Sequence, residues 1–161
     1  SDLYVFEVIG NDQIKTNWSE NFQDKNYDIK DYSINPKLTY FSGENNRINF
    51  IYKLSNISNL IGNQESLKQQ NFGISLFLNQ KEKRGFISEF NYYKNEFNGE
   101  LNSVISYVMM NGLQGGENYT WSFKFQRKLS KLLDINFIYL GRKSNSLRTI
   151  HNGSIQLKAI F

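Results

Sequence analysis

No cysteine occurs in this chain, so disulfides and thiolate metal sites are excluded from the outset. The single histidine, His151, has neither a second histidine nor a thiolate to share a metal with, and general-base work would need a partner that the sequence does not supply. It reads as a structural or loop residue in "RTIHNGS". No "G-x-S-x-G" is present, and "GLQGGEN" lacks the Lys-Ser/Thr of a phosphate-binding loop, so it reads as a hairpin tip. Glu89 is the one acid expected mid-strand on a polar face, where pairing with a neighbouring lysine explains it; a two-carboxylate hydrolase cannot be read from it. The chain is therefore expected to be non-enzymatic, with no catalytic, cofactor-binding or metal-binding residue.

Two further absences narrow the class. No apolar run approaches the roughly 20 residues of a membrane helix. Ser1 begins no recognisable signal peptide, so either a signal has been removed or Ser1 is an internal position of a longer chain. Charge is also unclustered: 19 Lys and Arg against 15 Asp and Glu are spread along the length, which suits a solvated or lumenal face and not a nucleic-acid partner. Against this stand 16% aromatic residues, one proline (Pro36) and a mean hydropathy of -0.56. Something places many rings against an apolar medium while most of the chain stays polar.

A period of two organises nearly everything after residue 33. In "RINFIYKLS" Ile48, Phe50, Tyr52 and Leu54 alternate with Arg47, Asn49, Ile51 and Lys53; "NFGISLFLN" and "GFISEFNYYK" repeat the pattern on even positions. From residue 118 the apolar set is odd: Tyr119, Trp121, Phe123 and Phe125, then Ile135, Phe137 and Tyr139, then Ile155, Leu157, Ala159 and Phe161. Short polar or glycine-bearing stretches separate the runs, as hairpin connections should. Eight strands follow, at about 34 to 42, 46 to 55, 70 to 80, 85 to 97, 101 to 111, 118 to 129, 134 to 143 and 149 to 161, with residues 1 to 33 as a further hairpin or a loop.

The fold class is thus all-β, an antiparallel up-and-down meander. Alternation alone fits two architectures: a soluble barrel or sandwich with the apolar face inside, or an outer-membrane barrel with that face in lipid. Strands of about 10 to 13 residues, rings near strand ends and an opposite face too polar for a soluble core favour the membrane. A soluble carbohydrate-binding β-sandwich, with Trp121 or Tyr93 as a stacking platform, is the alternative; a lumen-sited hydrolase is a weaker third reading.

The last third, "GLQGGENYTWSFKFQRKLSKLLDINFIYLGRKSNSLRTIHNGSIQLKAIF", resembles the C-terminal end of large outer-membrane β-barrel proteins of the Bacteroidetes type, in its "GLQ-G-N-TW", "GRKS" and "IH-GS-QL-A-F" segments. "NPKLTYF" and "NRINFIYKLSN" are similar to the preceding hairpins, so the resemblance covers roughly residues 30 to 161. It implies a bacterial outer-membrane location, a role in transport, secretion or assembly within a larger complex, and strands that close a larger barrel. Phe161 resembles the terminal aromatic read by the barrel-assembly machinery. The lipid-facing set is then Tyr119, Trp121, Phe123, Phe125, Ile135, Phe137, Tyr139, Ile155, Leu157 and Phe161, and the lumen-facing set Lys37, Arg47, Lys53, Glu89, Lys124, Gln126, Gln156 and Lys158. With Phe161 periplasmic, the turns at 129 to 134 and 97 to 100 are expected on that side, and those at 81 to 85, 111 to 117 and 143 to 148 outside. Arg127, which shares the parity of the rings, should lie near the periplasmic headgroups.

Overall fold

The structure, a computed structural model, describes residues 2–21, 26–62, 64–80, 84–145 and 147–159. Eight strands form one sheet: β1 (Leu3–Asn17), β2 (Tyr27–Ser42), β3 (Asn46–Asn59), β4 (Ser66–Gln80), β5 (Arg84–Asn98), β6 (Gly116–Lys128), β7 (Leu133–Ser144) and β8 (Ile150–Ala159), with a short helix α1 (Val104–Met109) between β5 and β6. Every strand pairs antiparallel with its neighbours in sequence, in the order β1 to β8, and the sheet is an all-β meander that is not closed.

Register explains the alternation. Phe50 pairs with Ile74, Ile74 with Phe90, and Phe90 with Trp121. Even positions of β1 to β5 and odd positions of β6 to β8 therefore share one face. The single change of phase falls across residues 99–115, because every other hairpin pairs even with even and odd with odd.

The eight strands differ from the expected eight at two places. Residues 101–111 do not form a strand; they hold α1. Ser103 caps it, its side chain accepting from the Ser106 N–H at 3.0 Å, and Asn111 and Gly112 end it at φ 53° and 74°. The missing strand is replaced by β1, and the boundary placed at 33/34 falls inside β2. Losing one crossing also reverses sides. The connections after β5 and β7 leave the same end of the sheet, so 97–100 joins 111–117 and 143–148, while the 81–85 connection joins 129–134 at the end where β8 finishes.

The only cluster of buried apolar residues among those described lies under α1. Met109 and Met110 pack with Ile29, Ile57 and Leu67, flanked by Tyr27, Phe97, Ile105, Val108 and Leu113. Tyr27, Ile29, Ile57, Leu67 and Phe97 project from the face opposite the aromatic one, so α1 folds over the inner, polar face at one end. Fully burying such a Leu or Met contributes roughly 1.5 to 3 kcal/mol.

Candidate membrane-facing belt and polar inner face

The distribution of polarity across the sheet is inverted relative to a water-soluble core. Ser33, Thr39, Asn49, Ser55, Gln69, Ser75, Asn95, Asn118 and Ser144 are buried, while Tyr4, Phe6, Phe50, Phe72, Ile74, Phe90, Phe123, Phe137, Ile155 and Leu157 are exposed. All of these rings and aliphatics lie on the outer face, and all of these polar residues on the inner one, although Leu3, Ile9, Ile138, Leu140 and Ile150 are exposed apolar residues of the inner face near the sheet's two edges.

The outer face carries an uncharged belt. It runs through Tyr4–Gly10, Tyr32–Tyr40, Ile48–Leu54, Phe72–Leu78, Phe86–Tyr92, Tyr119–Phe125, Ile135–Gly141 and His151–Leu157, and its outward positions include no Asp, Glu, Lys or Arg. Six to eight residue steps at about 3.3 Å each make roughly 20 to 26 Å of strand, the order of the apolar band of outer-membrane barrels. Charged outward residues appear only beyond its limits: Asp12, Asp28, Lys30, Lys68, Glu96, Lys94, Glu117 and Lys143 at one rim, Arg84 and Arg127 at the other. Lys30 faces Asp12 at 3.7 Å and Lys94 faces Glu96 at 3.8 Å.

Aromatic pairs brace the belt across strands. Tyr52, Phe72, Tyr92 and Tyr119 form a row with ring centroids 4.4, 6.3 and 5.2 Å apart, and the Tyr92 hydroxyl donates to Glu117 at the rim over 3.1 Å. Phe123 stacks on Tyr139 at 5.9 Å, and Tyr139 Oη lies 2.7 Å from His151 Nδ1. His151 is thus a strand residue on the aromatic face, not part of a loop. The Trp121 indole lies over Gly141 and occupies the space a Cβ there would need.

Hydrogen bonds run across strands on the inner face. Thr39 Oγ1 donates to Asn49 Oδ1, and Asn49 Nδ2 to Ser75 Oγ, each at 2.9 Å, tying β2, β3 and β4 together. Near α1, Gln69 Nε2 donates to Asn95 Oδ1, and both Asn95 Nδ2 and Asn118 Nδ2 donate to the Gln114 carbonyl at 2.9 and 2.8 Å. Asn118 Oδ1 accepts in return from the Gln114 N–H and from Ser144 Oγ. Asn118, fully buried, clamps the connection carrying α1 to β6 and β7.

Each residue expected to face lipid lies on the outer face, apart from Phe161, which is outside the described residues. Lys37, Arg47, Lys53, Glu89, Lys124, Gln126, Gln156 and Lys158 all lie on the inner face. Lys37 meets Glu7 at 3.5 Å, and the Arg47 guanidinium sits 4.0 Å from the Phe77 ring centroid. Glu89 differs from expectation: its partner is the Ser122 hydroxyl at 3.4 Å, not a lysine. Trp121 and Tyr93 project from opposite faces, so the two do not make one stacking platform. Asn95, Asn118 and Ser144 were not singled out from the sequence; their signal is an amide or hydroxyl at the inner parity close to a strand end.

Among the described residues no three His, Cys, Asp or Glu side chains gather where a metal ion could sit. Comparison with family models, curated proteins and solved structures gives no match.

Proposed function

We propose that this sheet is part of an outer-membrane β-barrel, non-enzymatic, whose work is to span the bacterial outer membrane and contribute there to transport, secretion or assembly with partner proteins. The observation that carries it is the uncharged belt of exposed rings and aliphatics backed by a face on which Thr39, Asn49, Gln69, Asn95 and Asn118 are buried and hydrogen-bonded. A soluble sandwich would need a second layer over that apolar face, and the described residues make a single sheet. In lipid the same face needs no cover, while the inner face meets water or a plug.

Closure follows from the same physics. Backbone groups in a bilayer must all be paired, so the outer edges of β1 and β8 require strand partners. A ring of eight strands has an interior that its own side chains fill. Here the inner face also holds α1 and its methionines, which favours these strands as the arc of a larger barrel. The resemblance of Phe161 to an assembly signal makes the barrel-assembly machinery the expected partner of the C-terminal strand.

The test is solubility and gel migration. The folded protein is expected to need detergent and to run at a shifted position on a denaturing gel when left unheated; a monodisperse monomer in plain buffer overturns the reading in favour of the sandwich.

A further inference from the structure

Arg84 and Arg127 are directly opposed across β5 and β6, both on the outer face and both exposed. Like charges in that position repel, and among the described residues neither guanidinium has an acidic partner, the three ion pairs found there using Lys30, Lys37 and Lys94. The arginines stand one outward position beyond Phe86 and Phe125, where the uncharged belt ends. A hollow of about 260 Å³ is lined by Arg84 together with Leu78, Gly85, Phe86 and Phe125. An apolar floor ending at two adjacent guanidinium groups without an acidic partner among the described residues has the chemistry of one ligand class: an acyl chain joined to a phosphate.

We infer that Arg84 and Arg127 together hold the phosphate of an anionic phospholipid whose acyl chain lies against Leu78, Phe86 and Phe125. The inference rests on the membrane-facing assignment of the outer face. Guanidinium groups suit the task because each presents two parallel N–H donors to phosphate oxygens, and an anion shared between them removes the cross-strand repulsion. Lys94 on the same face, by contrast, is already matched by Glu96. The site lies at the end of the sheet where β8 finishes, so in the expected orientation it faces the periplasmic leaflet.

The test uses detergent-purified protein titrated with phosphatidylglycerol and, separately, phosphatidylcholine, with retained lipid counted by native mass spectrometry. The wild-type protein is expected to retain phosphatidylglycerol in preference, R84Q and R127Q each to weaken that retention roughly fivefold, and R84Q/R127Q to abolish the preference. K94Q should leave it unchanged. Equal retention by the double variant and the wild type overturns the inference, as does competition by inorganic phosphate alone at lipid concentrations, which would show a free-anion site. Heat-shifted gel migration of the double variant confirms that it has folded. A protein that needs no detergent sinks the membrane reading; a detergent-requiring protein without headgroup preference sinks this inference alone.

Discussion

At the residue scale, the tightest fit is between a glycine and an indole. Gly141 sits between Trp121 on β6 and His151 on β8, and the indole lies where any side chain at 141 would go. A strand glycine covered by an aromatic ring from its neighbour keeps the ring flat against the sheet and fixes register. Gly141→Ala forces Trp121 off the sheet and away from His151. It is expected to cost about 1 to 3 kcal/mol, the range for overpacking a fitted site, read as an earlier midpoint in denaturant unfolding followed by tryptophan fluorescence. An unchanged midpoint would show that the indole is free to move. The sequence gives the two partners only as "TWSF" and "LGRK"; that they meet is a matter of register, which depends on the length of the β6–β7 turn.

At the scale of elements, what was legible was whatever repeats with period two. Seven of the expected strands exist because their faces differ in polarity, and the parity of their outward residues is that of the sequence pattern. "LNSVISYVMMNGL" misled for a physical reason: its Val, Ile and Tyr residues favour strands, and its alternation is no worse than that of a true one. The signals that oppose it are local. Ser103 precedes the apolar run as an N-cap should, Asn111-Gly112 supplies two residues at positive φ, and Ile105, Val108 and Met109 share a helical face. β1 was hard to read for the opposite reason, since Leu3, Val5 and Ile9 make its inner parity nearly as apolar as Tyr4, Phe6 and Val8 make the outer. The clamp at Asn118 was invisible because it joins residues of three strands and a loop. It leads to a prediction: Met109→Ala with Met110→Ala removes the anchor of α1 at about 2 to 5 kcal/mol per site. Protease should then cut within residues 99–115, while the heat-dependent gel shift of the sheet persists. Loss of that shift would mean that the helix supports the strands themselves.

For the whole molecule, the two faces make separable demands. On the inner face Lys15, Lys37, Arg47, Lys53, Lys124, Lys128, Arg142 and Lys158 outnumber Glu7, Asp31, Glu89 and Asp134, so a water-filled lumen built on it should pass anions in preference; cation selectivity in a planar bilayer would contradict that. The outer face is tested by moving one charge. Ile74 stands mid-belt between Phe50 and Phe90 and is half exposed, so on a soluble protein Ile74→Arg would place a charge in water at little cost. In lipid the same change costs about 2 to 4 kcal/mol near the midplane. Gln126→Arg adds an identical side chain on the inner face, at an exposed position one residue from Arg127. Folding into lipid vesicles, scored by the fraction of gel-shifted band, should fall sharply for Ile74→Arg and stay near wild type for Gln126→Arg. Equal behaviour of the two variants would mean that water bathes both faces. The reverse order would mean that the inner face is the one packed against an apolar layer, because only the medium beyond each face distinguishes the two arginines.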